Sequence, residues 1–284
     1  MDRAPEPIGV VIRTLNEEAM VGACLDALER QRTHLELDVL VVDSGSTDAT
    51  LEIVRSRGAR VFELPPGDFD YSKSLNDGIA RVGGDLVLLL SAHAVPVDET
   101  WVERMAAPFA NPRVAGVASR QVPWDDAPWR EVLRLQRQFD APDATVFSNA
   151  ASCIRRSVWR EQPFTLPAAE DLEWAERVVA AGWSVVYEPE AAVYHSHSEG
   201  PRAQAQRLID INRVEQSGAA TNGPWRRLRA AGRLLYRDGR SILGLDEPRG
   251  RKLRHLAELV QMVFYYLVDF SRSGTTAERR RART

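Results

Sequence analysis

A doubly wound α/β fold is the architecture this sequence predicts. Three observations carry it. Short apolar runs at 8–12, 37–42 and 85–90 have the length and composition of strands buried on both faces. Helical patterns separate these runs, giving strand, helix, strand, helix, strand, helix, strand over the first hundred residues. Beyond 201 the pattern turns helical and basic.

The first strand, 8–12, leads into Asn16, Glu17 and Glu18, which are expected to open a helix running to about Arg32 with acids in its first turn. Residues 37–42 form the second strand, 43–48 a turn, 49–57 a helix and 60–63 a third strand. A loop with Pro65, Pro66 and Gly67 leads to a helix over 72–82. The strand at 85–90 is the most apolar and should lie centrally. Residues 115–122, 146–155 and 183–187 read as strands, 124–142 as helix and loop, and 171–181 as helix. From 201 helices follow, broken near Gly223-Pro224 and at 246–250. The Arg-rich tail, 279–284, reads as disordered. The implied division is a catalytic domain over 1–200, with halves near 1–100 and 101–200, and a helical extension over 201–284.

Composition excludes some classes. The 284 residues are 44% hydrophobic and 27% charged, as in ordinary globular proteins. Cys24 and Cys153 make neither a disulfide framework nor a zinc cluster, which fits a reducing cytosol. There is no signal-peptide pattern and no apolar run long enough to span a bilayer. A cytoplasmic protein is expected, soluble or peripheral at the cytoplasmic membrane face. Residues 201–284 hold 18 basic and 8 acidic residues, leaving 19 and 32 in 1–200. Such asymmetry suits an anionic surface or partner, or only solvated Arg-rich helix faces. No nucleic acid is expected as a partner.

In doubly wound sheets the ligand sits beyond the carboxyl ends of the strands. Neither G-x-G-x-x-G after a strand nor a Walker A sequence occurs, against dehydrogenases and P-loop NTPases. The strand ends are acidic and polar instead: Thr14-Leu15-Asn16-Glu17, then Asp43-Ser44-Gly45-Ser46 before Thr47-Asp48. A carboxylate there can accept from a base N–H or a ribose hydroxyl, beside a helix start. Helix capping by Asn16 and an Asx turn at Asp43 are the structural alternatives.

These two motifs, in this order, resemble the first two strand ends of the inverting family 2 glycosyltransferases, which have the GT-A fold. The resemblance covers about residues 8–200. It implies a mixed, mostly parallel sheet between helices, with donor and acceptor halves, and a nucleoside-diphosphate sugar as donor. It implies that Thr14, Asn16, Glu17, Asp43 and Ser46 gather around the nucleotide. Lys73 and Asn76, in Phe69-Asp70-Tyr71-Ser72-Lys73-Ser74-Leu75-Asn76, resemble the next element, which reaches the donor diphosphate or holds the loop around it. Glu170-Asp171 resembles the element carrying the catalytic base. Asp171 is the candidate, and Glu170 the alternate or an acceptor-positioning group. Capping of the helix by Asp171 could coexist with that role.

One departure stands out. Where the family has D-x-D for a divalent metal, this chain has Ser91-Ala92-His93. Asp-Asp would bind magnesium or manganese through hard oxygens, whereas His suits manganese or a later metal. His93 is thus a metal ligand, a direct donor to the diphosphate, or a hydrogen-bonded structural residue. His195, with His197 as alternate, would complete a His93 site, with Ser91 beside the donor.

The expected activity is transfer of a sugar to an acceptor hydroxyl, with cell-envelope polysaccharide or glycolipid, including lipid-linked acceptors, in range. A sugar-phosphate nucleotidyltransferase would need a Gly-rich loop after the first strand, and residues 13–17 lack glycine. A nucleotide-sugar-binding protein that has lost catalysis is the non-enzymatic alternative, and Glu170-Asp171 argues against it. The apolar arc of 253–270, flanked by Arg251, Lys252, Arg254 and Arg272, packs on the catalytic domain or on a second subunit, or touches a membrane.

Overall fold

A computed structural model describes residues 7–65, 67, 69–125, 127–139, 146–167, 169–196, 200–215, 224–245 and 248–281. Two compact units divide the chain. The first comprises Met1–Asp126 and Arg134–Ser196, the second Ala127–Leu133 and His197–Thr284.

The first unit is built on one sheet of eight strands: β1 (Ile8–Thr14), β2 (Leu37–Asp43), β3 (Arg60–Glu63), β4 (Leu86–Ser91), β5 (Val95–Pro96), β6 (Val114–Val122), β7 (Ala151–Arg155) and β8 (Ser184–Tyr194), in the order β3-β2-β1-β4-β7-β6-β8-β5. The first four in that order are parallel; β7 is antiparallel to β4 and to β6, and β8 runs parallel to β6. The helices are α1 (Val21–Glu29), α2 (Thr50–Ser56), α3 (Tyr71–Ile79), α4 (Trp101–Ala106), α5 (Trp129–Phe139, of which Trp129–Leu133 belong to the second unit), α6 (Arg156–Glu161) and α7 (Glu170–Ala180), with a 3₁₀ turn at Ala107–Ala110. The expected central strand is β4, held between β1 and β7, with Val87 to Leu90 fully buried.

Two apolar clusters sandwich the sheet, one including Val10, Ile12, Val41, Leu88 and Trp101, the other Val11, Val42, Leu75, Leu89 and Trp174. Alternate residues of one strand thus feed opposite faces, as the pleat requires. Gly78 lets α3 lie flat on the sheet: a Cβ there would come within 2.5 Å of Val11 Cγ1. The end of α3 is held by Arg156. Its buried guanidinium donates to the carbonyls of Ile79, Val82, Gly83 and Gly84, satisfying oxygens that a helix end leaves open.

Several boundaries differ from the sequence expectation. The first helix starts at Val21, not at Asn16, and has no acid in its first turn. Asn16 is left-handed, with φ 55°, and Glu17 and Glu18 donate their backbone N–H groups to Thr50 at the start of α2 and to Asp48 just before it. Tertiary partners thus outcompete helix propensity there. The strand expected over 146–155 begins at Ala151, because Ala151 N closes a turn on Ser148 O. The last strand continues past Tyr187 to Tyr194 by pairing with β6.

The second unit contains α8 (Pro201–Glu215), α9 (Pro224–Gly244) and α10 (Arg249–Arg281). Its core joins Trp129, Leu133, Ala205, Ile209, Ile242, Leu259, Met262 and Tyr266. The tail is a correction: it is helical through Arg281, and 282–284 lie outside the described residues. Among the described residues no helix is long and apolar enough to cross a membrane.

Candidate active site

Strand direction assembles the site. β1, β2, β4, β6 and β8 all end on one edge of the sheet, and antiparallel β7 begins there. In register, Thr14 lies beside Asp43, and Arg13 beside Ser91. The order reverses at β1, whose neighbours β2 and β4 follow it by separate crossovers. This is the switch point at which open α/β sheets bind ligands.

Asp43 is 1% exposed. One carboxylate oxygen accepts from Gly45 N and Ser46 N, both at 2.9 Å, and the other accepts from the Ser46 hydroxyl. Ser46 Oγ in turn accepts from Asn16 N at 2.8 Å, while Asn16 Oδ1 accepts from Thr47 N at 2.8 Å. The first two motifs thus interlock as one double loop, an Asx-type turn braced by its neighbour. Beside it Thr14 Oγ1 is buried without a hydrogen-bond partner.

His93 and His195 come together from the ends of β4 and β8. Their Nε2 atoms lie 3.1 Å apart, with near-parallel rings. His93 Nδ1 lies 2.7 Å from Glu17 Oε1, and His195 Nδ1 2.8 Å from Gln121 Oε1. Glu17 is therefore set against the imidazole of His93. His197 lies outside the described residues. Trp124 stacks on Tyr194, centroids 4.5 Å apart, beside the end of β8.

The third group is carboxylic. Ala169, with φ 57°, turns the chain into α7 and sets Glu170 and Asp171 at its start. Glu170 is 4% exposed; Arg13 Nη1 lies 3.5 Å away and Asn149 Nδ2 3.3 Å. Burial pushes the Glu170 carboxyl above its ordinary value, Arg13 opposes the shift and Asp171 adds to it. Asp171 accepts from Asn149 N at 3.2 Å and from Leu172 N at 2.9 Å. Arg13 also lies 5.0 Å from the centroid of the Tyr71 ring, and its Nε is buried without a partner.

Lys73 and Asn76 turn elsewhere. Lys73 Nζ donates to Asp77 one helical turn on, at 2.7 Å. Asn76 donates to Phe164 O and accepts from Trp159 Nε1, both at 2.8 Å, tying α3 to the segment before α7. Asn76 thus braces α3 against the segment around Phe164.

Sequence reasoning missed Arg13, Gln121, Asn149 and the Trp124–Tyr194 pair. Arg13 alone had a signal, since a charged residue closing a buried apolar strand needs a partner. Among the described residues no group of three or more His, Cys, Asp or Glu is placed to hold a metal. A cavity of about 420 Å³ lined by Leu25, Leu28, Asp38 and Arg57 lies by the beginning of β2, away from this edge.

Comparisons with known proteins agree with this fold. The model of the family described as glycosyl transferase family 2 matches residues 9–162. An O-antigen chain rhamnosyltransferase of Salmonella typhimurium is 29% identical over 222 residues, covering 72% of this chain and 70% of that one. A second O-antigen chain rhamnosyltransferase, from Salmonella anatum, is 28% identical, covering 64% and 63%. Among solved structures, a mannosyltransferase from Pyrobaculum calidifontis in complex with GDP-Man and Mn2+ aligns with TM-score 0.62 at 19% identity, over 93% of this chain and 88% of that one. Glucosyl-3-phosphoglycerate synthase from Mycobacterium tuberculosis aligns with TM-score 0.57 at 20% identity, over 77% and 81%. At such identities the structural likeness speaks for the fold.

Proposed function

The chain belongs to glycosyl transferase family 2, and from that premise we propose an inverting transfer of a sugar from a nucleoside diphosphate to an acceptor hydroxyl in cell-envelope polysaccharide synthesis. A single observation carries the reading: one sheet edge gathers the interlocked Asp43 loop, the His93–His195 pair and the Glu170–Asp171 carboxylates. The rhamnosyltransferase relatives make a deoxyhexose donor and an O-antigen-like or lipid-linked glycan acceptor the first substrates to test.

The donor's nucleoside lies against Thr14, Asn16, Glu17, Asp43 and Ser46, where the orphan Thr14 hydroxyl awaits a partner. Ser91 sits beside the donor at the end of β4, and Lys73 lies on the helix that follows β3. Asp171 takes the acceptor hydroxyl's proton as that oxygen attacks the anomeric carbon. Asn149 N and Leu172 N hold its carboxylate in place. Glu170, buried against Arg13 with its carboxyl pushed above its ordinary value by desolvation, positions the acceptor. Trp124 and Tyr194 offer an aromatic wall for an acceptor sugar.

The histidine pair fits a divalent cation, manganese or magnesium. With Glu17 and Gln121 accepting from both Nδ1–H groups, two Nε2 lone pairs face each other across 3.1 Å, which calls for a shared cation or proton. That span would let both Nε2 atoms serve as nitrogen ligands of one cation. Such a cation would neutralise the departing diphosphate, whose oxygens and water would complete its coordination.

Asp171→Asn tests the reading. Donor binding should persist while transfer falls by about 10²–10⁴-fold. Transfer retained at the wild-type rate would remove Asp171 as the base.

A further inference from the structure

We propose that α9 is an interfacial helix by which the second unit docks on an anionic lipid bilayer. The peripheral contact expected from sequence centred on 253–270, but there α10 uses Leu259, Met262, Val263 and Tyr266 to build the core of its own unit. α10 still exposes Leu253, Val260 and Phe264, but the helix whose exposed apolar face runs beside a row of exposed arginines is α9.

At about 100° per residue, the exposed Trp225, Leu228, Leu235, Tyr236 and Leu243 fall within one arc of about 100°. Trp225 is 77% exposed and Tyr236 67%. Gly232 and Gly239 complete the arc and leave the aliphatic and aromatic side chains standing proud. The buried side of the helix, with Ala231, Asp238 and Ile242, borders the apolar arc on the edge away from the arginines.

Charge selects the occupant. The exposed arginines 229, 233, 237 and 240 form one flank of the apolar arc. The only acid of the helix, Asp238, is 2% exposed and faces inward, accepting from Arg130 Nη2 at 3.3 Å and Arg237 Nε at 2.8 Å. The outer surface of α9 is therefore cationic beside apolar, the pairing that seats a helix among anionic headgroups with its aromatic residues at the boundary. A cavity of about 780 Å³ opens along the same flank, with Arg233, Arg237 and Arg240 on its wall and Leu208, Leu234 and Tyr266 beneath them. It offers an anionic amphiphile both kinds of contact. No described helix can span the bilayer, so the attachment is to one face of it.

This docking deepens the peripheral reading of the transferase, yet its measurement needs neither donor nor acceptor. The full-length chain would be floated with vesicles of phosphatidylcholine alone and of phosphatidylcholine mixed with phosphatidylglycerol. Binding is expected only with the mixed vesicles, weakening with added salt. Arg233→Gln and Arg240→Gln should each weaken it roughly fivefold. The combined Trp225→Ser, Leu235→Ser and Leu243→Ser variant should abolish it while keeping its thermal unfolding midpoint and its donor binding. Equal binding to neutral vesicles, or no binding by the wild type, would overturn the proposal. So would undiminished binding by the serine variant with loss instead on changing Leu253, Val260 and Phe264 of α10. A wild-type dimer that the serine changes dissociate would assign the face to a second copy of the chain.

Discussion

Glu170 shows what burial does to one side chain. Its carboxyl sits at a helix start, where a negative charge is favoured, yet desolvation wins and raises its pKa above 4.5. Because the folded-state value is the higher one, ionisation opposes folding. The stability of the protonated form is full below about 4.5 and is lost as pH rises through the raised value. Glu170→Gln removes this dependence. Its stability in chemical denaturation should gain on the wild type as pH climbs from 4 to 8. Parallel pH profiles for the two proteins would contradict the assignment. The residue scale is also where sequence reading was strongest and most easily misled. Asp43 and Glu17 were found because carboxylates at the ends of apolar strands are unusual. Their partners were not found, because Asn16 lies 31 residues from Thr47 and His93 lies 76 residues from Glu17. Only folding brings such pairs within hydrogen-bond distance.

Among the elements, the strands were the easiest to read and the helix starts the hardest. A buried parallel strand is apolar throughout, so β1, β2 and β4 announce themselves. A helix start depends on who receives its first N–H groups, and at residues 16–18 the receivers lie in the turn after β2 and at the start of α2. The same logic governs α3, whose last carbonyls are taken by a side chain from another element. Arg156→Ala should destabilise the first unit by about 3 kcal/mol, because buried carbonyls lose a charged donor. Arg156→Lys should recover only part of this, since one ammonium cannot span four carbonyls. Chemical denaturation would measure both, and a loss under about 0.5 kcal/mol for the alanine variant would mean that water replaces the guanidinium.

For the molecule as a whole, the charge imbalance of the sequence maps onto two units with separate cores. The acidic unit carries the sheet edge proposed to take the nucleotide, and the basic one the arginine-flanked helix. A ligand that binds only the folded chain raises its apparent stability by mass action. Manganese at 100 times its dissociation constant should add about 2.7 kcal/mol. His93→Ala and His195→Ala should each remove most of that gain, and EDTA should reverse it in the wild type. The gain should grow with a nucleotide sugar present if diphosphate oxygens share the cation. A manganese response unchanged in both variants would place the cation elsewhere.

By itself the sequence determined the periodicities, the polar strand ends and the missing D-x-D, hence the α/β class, the family and the candidates Thr14, Glu17, Asp43, His93 and Asp171. These are local properties, carried by residues within a few positions of each other. Only the tertiary structure decided that His93 meets His195 at 3.1 Å, that Arg13 faces Glu170, and that α9 keeps an apolar face outside beside its exposed arginines. Contacts between distant residues depend on strand order and direction, and on which side of a helix its neighbours cover. Neither is written in the pattern of any single segment.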